Sequence, residues 1–402
     1  MPECFCCGFG RRRRARHGVG LAGAFPRQFR TTAARIRGAL VRKRSACLKA
    51  PRMRCQCFPH PGAGLLLWLR CGGQYRCMDL PALILSSDLA RLGRDSRRLA
   101  RQAEAGELRR LRQGVYVRAE AWDALQHWER YTLLIHAAAS TLRSRTVFCR
   151  QSAAALSDIP VLGKRHPVHA CTSDAGGGRS RAGVRRHFVD PESLQIEERQ
   201  GLLVTSRART VLDLAAFGSF EQAVAAVDHV IRPARNGPPV LNLELLEAGI
   251  TGNYTAAATR RILTALEFGD PASGSPGESL SRAMMHRLGF KAPLLQHEIR
   301  DARGLVGFTD FEWPEDGLSG EFDGLAKYRD AAYLNGRTAA DVVIEEKRRE
   351  DRIRATGRRV IRWTWSELAS LERFAAFLDA KGVPRRAPGI RGGNGQPPLG
   401  SA

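Results

Sequence analysis

The chain has 402 residues, enough for two or three domains, and its formal net charge is +24. Residues 1–77 hold 17 lysines and arginines and one acidic residue, whereas the rest of the chain holds 47 basic and 39 acidic side chains. Eight of the ten cysteines lie at or before Cys77, and no apolar run reaches the about 18 residues that a membrane span needs. This composition excludes a disulfide framework in the body and indicates a cytoplasmic protein without a membrane span, compatible with a nucleic-acid partner.

Residues 1–77 differ from the remainder because Gly, Pro, Cys and Arg recur in them without a helical or strand period. We predict a disordered basic arm or a mis-assigned start, with the folded protein beginning near Met78. If it is translated, such an arm would bind nucleic acid without sequence preference.

Residues 78–120 have the pattern of a winged helix-turn-helix. A short helix is broken at Gly93, a second helix ends at Gly106, and a strand pair closes with Gly114 to Val117. In modules of this plan the second helix enters the major groove of DNA. The predicted DNA-binding residues are Arg94, Arg97, Arg98 and Arg101.

The segment from Leu89 to Val117, LARLGRDSRRLARQAEAGELRRLRQGVYV, resembles the N-terminal winged-helix domain of abortive-infection (AbiEi-type) type IV antitoxins. The resemblance implies DNA binding, often at the protein's own promoter, and a cognate toxin as a possible partner. A winged helix that serves only protein contacts is the alternative.

Residues 121–235 read as a mixed α/β module of short strands and amphipathic helices. The phrase from Leu202 to Ala215 resembles the C-terminal region of the same antitoxin group. His166, His169 and His187 are scattered, which favours ordinary core or surface histidines over a zinc site. Arg209 and Asp213 are spaced for local pairing on one helix, the alternative being a functional set with Arg207.

Residues 236–274 are predicted to be a helical linker, residues 275–378 a third domain, and residues 379–402 a disordered tail rich in Gly, Pro and Arg. Within the third domain, Phe308 to Trp313 alternates apolar and polar side chains as a half-buried strand does. A turn at Pro314 to Gly317 leads to a second strand, Leu318 to Phe322. An antiparallel pair of this length brings Asp310 and Glu321 near each other, and two such carboxylates suit Mg²⁺ or Mn²⁺.

The order of Glu278, Asp310 and Glu321, followed by EFDG, KY and EEKRRE, resembles the restriction-endonuclease-like superfamily, and in particular its very-short-patch-repair-like branch. The resemblance implies a mixed sheet flanked by helices and an ion held by Asp310 and Glu321, with Glu278 as a third carboxylate. The superfamily pattern has a lysine two residues after the second acid, where this chain has Asp323. Either Lys327 or Lys347 supplies the positive charge from a neighbouring element, or Asp323 is a further metal ligand.

The sequence therefore predicts an α/β (α+β) protein: a winged helix-turn-helix, a mixed α/β middle module and a restriction-endonuclease-like mixed sheet flanked by helices. Besides a scaffold with no nucleic-acid role, two functions stay open. The first is metal-dependent phosphodiester hydrolysis on DNA, with the ion activating a water molecule and a lysine stabilising charge on the phosphate. The second is a type IV antitoxin-like repressor whose nuclease fold is inactive, in which case the four carboxylates cap turns and pair with arginines.

Overall fold

The computed structural model describes residues 66–71, 74–93, 95, 97–142, 145–174, 180, 183–234, 237–250, 252–324 and 339–386. Its first elements are two antiparallel strands, β1 (Leu66–Cys71) and β2 (Gln74–Asp79). This strand pair crosses the boundary expected at Met78. The remainder of the expected arm, residues 1–65 together with residues 72 and 73, lies outside the described residues.

The helix, helix and strand-pair order predicted after Met78 is present. It consists of β3 (Ile84–Leu85), α1 (Ser86–Arg91), α2 (Arg97–Glu104), β4 (Leu108–Arg112) and β5 (Val115–Arg118). The strands form one antiparallel sheet in the order β3-β5-β4. Leu99 of α2 packs on Leu108 and Tyr116, which leaves the arginines of that helix facing outward.

The middle module follows, with the elements α3 (Ala119–Ala124), α4 (His127–Ala139), β6 (Val147–Phe148), α5 (Arg150–Leu156), β7 (Val168–Thr172), β8 (Val184–Phe188), β9 (Ile196–Arg199) and β10 (Leu202–Thr205). Its strands form one five-stranded sheet in the order β8-β7-β6-β10-β9. The sheet is mixed, because β6 runs parallel to β10 and antiparallel to β7. Tyr131 and Ile135 of α4 share one core cluster with Phe148 of β6.

Asp158, just after α5, makes the stability of this region depend on pH. Burial raises the pKa of the Asp158 carboxyl to about 6, against the opposing charges of Arg207 and Arg199. Because the folded-state pKa exceeds the unfolded one, the stability associated with the protonated carboxyl is complete below about pH 4 and is lost as the pH rises through about 6.

Asp158→Asn removes this loss, and we expect it to stabilise the protein at pH 7 by about 1 kcal/mol or more, with no gain at pH 4. Asparagine also tolerates the left-handed backbone of this position, where φ is 62°. The measurement is urea unfolding of both proteins from pH 4 to pH 7, with exposed Asp351→Asn as the matched control. A difference that does not change with pH would contradict the prediction.

Four helices form the next layer: α6 (Arg207–Phe217), α7 (Phe220–Ile231), α8 (Leu243–Ala248) and α9 (Ala256–Phe268), with a short strand pair, β11 (Pro233–Ala234) and β12 (Gly237–Pro239), after α7. Leu246 of α8 and Ile262 of α9 are fully buried in one core with Leu212 and Val227. The segment expected to be a helical linker is thus helical, and its helices are packed against the preceding module.

The C-terminal region has the order helix, three strands, helix, strand, helix. Its elements are α10 (Pro276–Arg287), β13 (Leu294–Asp301), β14 (Gly304–Trp313), β15 (Leu318–Phe322), α11 (Ala339–Ala355), β16 (Arg359–Trp363) and α12 (Leu371–Ala380). The sheet order is β13-β14-β15-β16, with only the last pair parallel. The predicted α/β class and C-terminal mixed sheet are confirmed. The sequence pattern had missed β13.

The C-terminal core lies between this sheet and helices α10 and α12. Met284 and Met285 of α10 meet Phe311, Trp313 and Trp363 of the sheet and Phe374 of α12. The boundary expected at Leu378 falls inside α12, and the chain beyond it is still packed: Val383 is buried and Arg385 pairs with Phe290.

Buried ion pairs connect this region to the helical layer before it. Asp228 of α7 is 1% exposed, and both its carboxylate oxygens accept hydrogen bonds of 3.0 Å from Nη2 of Arg282 on α10. Nη1 of Arg282 also donates to the Phe268 carbonyl at 2.9 Å. Among the described residues, no helix has the length and apolar character needed to cross a membrane.

Candidate functional site

The candidate site lies where β14 and β15 separate. The two strands pair from Trp313 and Leu318 as far as Phe311 and Gly320. Beyond that point Asp310 fills the gap: its Oδ2 accepts a hydrogen bond of 2.9 Å from the backbone N–H of Phe322. The contact places the Asp310 carboxylate against the backbone of Phe322, the residue that follows Glu321.

Gln296, on the strand that sequence reasoning missed, links two of the predicted carboxylates. Its Nε2 lies 3.3 Å from Oδ1 of Asp310 and 3.4 Å from Oε2 of Glu278. The backbone of Gln296 has a φ of 47°, a conformation that non-glycine residues rarely adopt inside a strand. Strained backbone of this kind is concentrated at functional sites.

Glu278 reaches the site from the first turn of α10. The helix begins with Ser275 as N-cap, whose Oγ accepts from the Glu278 N–H at 3.2 Å, and Pro276 follows at the first helical position. Oε2 of Glu278 accepts a hydrogen bond of 2.7 Å from the Gly274 N–H. The carboxylate therefore both stabilises the start of the helix and, 7% exposed, contacts Gln296.

Glu321 is paired with an arginine of α11. Nη2 and Nη1 of Arg349 lie 2.7 Å and 3.2 Å from Oε1 of Glu321, whose side chain is 5% exposed. Nη2 of Arg349 also donates to the Phe308 carbonyl at 2.8 Å. Because both partners are largely removed from water, this pair is stronger than a surface ion pair.

Asp323, at the position where the family pattern has lysine, is also paired with an arginine. Nη1 of Arg362 lies 3.2 Å from Oδ2 of Asp323 and 2.7 Å from Oε1 of Glu346. Burial lowers the pKa of Arg362, but the hydrogen bond to Glu346 and the charges of Asp323 and Glu321 outweigh burial and raise it above its usual range. Arg362 therefore stays charged and holds β15 and β16 to α11.

Of the two predicted lysines, the structure describes one. Lys347 lies on the exposed side of α11 and makes no ion pair with any described residue. Lys327 lies outside the described residues. The described cations that touch Glu321 and Asp323 are instead Arg349 and Arg362.

The donor types at the site suit a hard divalent cation, because Asp310, Glu321 and Glu278 all offer carboxylate oxygens. In the described part of the chain, no three His, Cys, Asp or Glu side chains converge closely enough to hold a metal ion as they stand. An ion bound by Asp310 and Glu321 would have to compete with Arg349 for the Glu321 carboxylate.

The second candidate surface is the outer face of α2. Arg97, Arg98 and Arg101 are exposed there, and Arg101 makes one contact of 3.4 Å with Asp95. Arg110 of β4 is exposed as well and adds a positive charge to the strand pair. Arg94 lies outside the described residues.

Two other sets of predicted residues form pairs, one within a helix and one between the strands β7 and β8, where histidines expected to be scattered lie together. Nε of Arg209 donates to Oδ1 of Asp213 at 2.9 Å, one helical turn apart, so the predicted local pairing is confirmed. The Nδ1 of His169 lies 2.8 Å from Nε2 of His187, with the rings stacked.

Comparison with known proteins does not assign this chain to a family. No family model matches the chain, and no curated protein matches it. Among solved structures, the chain is similar to the crystal structure of the RV2827C protein from Mycobacterium tuberculosis, at 16% sequence identity and a TM-score of 0.33. That similarity covers 56% of this chain and 85% of the other.

Proposed function

We propose that this chain binds DNA and that its C-terminal region carries a metal-dependent phosphodiester-cleaving site. The observation that carries the proposal is the contact series from Glu278 through Gln296 to Asp310, next to Glu321 at the separation of β14 and β15. A glutamine with strained backbone between two carboxylates is not needed to complete an edge strand, and such a contact would position the two carboxylates as ligands for an ion.

In this proposal Asp310 and Glu321 hold Mg²⁺ or Mn²⁺, with Glu278 as a third carboxylate. When bound, such an ion polarises the scissile phosphate and lowers the pKa of a coordinated water. Arg349 already contacts Glu321, so it is better placed than Lys347 to balance the charge of the phosphate. The exposed arginines of α2 would bring duplex DNA to the protein.

A specific observation favours a second candidate, a DNA-binding repressor of the type IV antitoxin kind. The carboxylates of Glu321 and Asp323 are both neutralised by arginines, as expected of a nuclease fold that has become structural. The basic face of α2 would then suffice for function, and a cognate toxin would be the protein partner.

A cleavage assay on the full chain separates the two candidates. Plasmid, duplex, mismatched and single-stranded DNA are incubated with Mg²⁺ or Mn²⁺. We expect cutting that requires the ion and is lost in Asp310→Asn and in Glu321→Gln, but is retained in the control Asp351→Asn on exposed α11. Arg349→Ala should reduce cutting more than Lys347→Ala. Absence of ion-dependent cutting on every substrate would reject the nuclease and leave the repressor.

DNA binding is tested separately by a mobility-shift titration on duplex DNA. Arg97→Ala and Arg98→Ala should each weaken binding and reduce the slope of log affinity against log salt by about 1, because each removes one phosphate contact. Arg373→Ala, an exposed arginine on α12, is the matched control and should change neither quantity. Equal effects from all three substitutions would contradict a binding face on α2.

A further inference from the structure

Arg150 is an unusual cation in the middle module. It is the first residue of α5 and has a φ of 50°, again in the left-handed region that a non-glycine residue rarely adopts. The side chain is partly buried, and its guanidinium carbon lies 4.1 Å from the centre of the Phe217 ring at the end of α6. Burial lowers the pKa of Arg150, so its positive charge is held where water solvates it poorly.

The carboxylate whose charge acts on Arg150, Asp213, is engaged by other side chains. Its Oδ1 accepts hydrogen bonds from Nε of Arg209 at 2.9 Å and from the Tyr254 hydroxyl at 2.8 Å, and the residue is 3% exposed. Arg209 in turn lies over the Tyr254 ring, 5.3 Å from its centre. Within the described part of the chain, the Arg150 side chain has no hydrogen bond and no ion pair, and it contacts the Phe217 ring.

Arg150, Arg209 and one carboxylate leave a net positive charge at this place. The other titratable neighbours of Arg150 do not cancel it. Burial lowers the pKa of His169 to about 3 and that of His187 to about 4, so both rings are neutral at pH 7 and each keeps an N–H. Interaction with the Cys149 thiol lowers the pKa of Cys171.

We propose that Arg150, with its Phe217 contact and the adjoining Arg209, His169 and Cys171, forms a binding site for a phosphate oxyanion. A partly buried guanidinium with five N–H donors and no anionic partner is stabilised most by a ligand that returns charge-assisted hydrogen bonds. A phosphate offers more acceptor oxygens and more negative charge than a carboxylate. The site offers two arginine charges and the N–H groups of neutral histidines, so a phosphate fits it better. The phosphate belongs either to a small molecule or to a DNA backbone.

Cys171 provides the readout, because it is partly exposed and the charge of Arg150 acts on it. The full chain is alkylated with iodoacetamide at constant ionic strength, and the rate is followed by mass spectrometry on the tryptic peptide that contains Cys171. The probes are inorganic phosphate, a nucleoside 5′-monophosphate, duplex DNA, and acetate as the carboxylate control. We expect phosphate-bearing probes to slow alkylation and acetate to have no effect.

In Arg150→Gln the concentration of probe needed for protection should rise about tenfold or more. Arg261→Gln, an exposed arginine on α9, should leave it unchanged, and Arg150→Lys, which keeps the charge, should retain partial protection. Thermal unfolding of each variant shows whether it folds. Protection by inorganic phosphate assigns the site to small molecules, and protection by DNA alone assigns it to the nucleic-acid backbone.

No protection by any probe, equal protection by acetate, or unchanged protection in folded Arg150→Gln would overturn the proposal. The site does not depend on the C-terminal carboxylates. Asp310→Asn should therefore leave protection of Cys171 unchanged whatever the outcome of the cleavage assay.

Discussion

Arg358→Ala is expected to destabilise the C-terminal region by about 3–5 kcal/mol. Nε of Arg358 donates a hydrogen bond of 2.8 Å to Oε1 of Glu312, a side chain with no exposure to solvent. The other oxygen of Glu312 accepts from the hydroxyls of Ser319 at 2.6 Å and Thr309 at 3.2 Å. Removing the arginine leaves a buried carboxylate without its counter-charge, which costs far more than the pair itself contributes.

Arg354→Ala is the matched control. Arg354 pairs with Glu350 one helical turn away, but its side chain is 53% exposed, so its loss should cost only about 0.5 kcal/mol. Urea unfolding followed by the fluorescence of buried Trp313 and Trp363 measures both variants. An equal loss of unfolding free energy in the two variants would contradict the role of Arg358 as the counter-charge of buried Glu312.

Glu312 also shows where a sequence pattern stops being informative. Asp310 and Glu312 are both acids on one strand, two positions apart, and strand alternation places their side chains on the same side of the sheet. The sequence does not indicate that Glu312 is buried and paired with Arg358, which follows α11 in the chain. Nor does it indicate that Asp310 lies where β14 and β15 separate. That difference arises from where β14 and β15 separate, which is a property of three-dimensional packing.

The strongly patterned elements of the C-terminal region could be predicted. The aromatic alternation from Phe308 to Trp313, before the turn at Pro314, marks β14. The strand β13 was missed because it lies at the sheet edge, where Ile299 is its only buried residue and a residue with positive φ interrupts its pairing. Gln296 was missed with it, since no sequence signal connects an edge-strand glutamine to two distant acids.

The arginine partners of Glu321 and Asp323 could not be predicted from the sequence either. The sequence directs attention to lysines, because the family pattern has one two residues after Glu321. Arg349 and Arg362 reach Glu321 and Asp323 from α11 and β16, and Arg362 stands directly opposite Glu321 in the parallel strand pair. Such proximity depends on a strand register that composition and spacing do not specify.

Gly277→Ala is expected to destabilise the protein by about 1–3 kcal/mol, although alanine is normally the better residue inside a helix. A Cβ at Gly277 would lie 1.9 Å from Cε1 of Phe322, a ring that is 3% exposed in the core. Relief of this overlap requires α10 or β15 to move. Because the N–H of Phe322 holds Asp310, and Glu278 follows Gly277 in the helix, the same movement disturbs the candidate site.

Two further variants make this prediction specific. Gly237→Ala, where an added Cβ meets nothing within 4 Å, should be close to neutral. Phe322→Leu removes the ring atoms that the new methyl group would meet, so the double variant Gly277→Ala/Phe322→Leu should be more stable than the sum of the single effects predicts, by about 0.5–3 kcal/mol. Additive losses would mean that Gly277 is required for another reason. A double variant more stable than the sum predicts would show that α10, which carries Glu278, packs directly on β15, which carries Glu321, at the contact between Gly277 and Phe322.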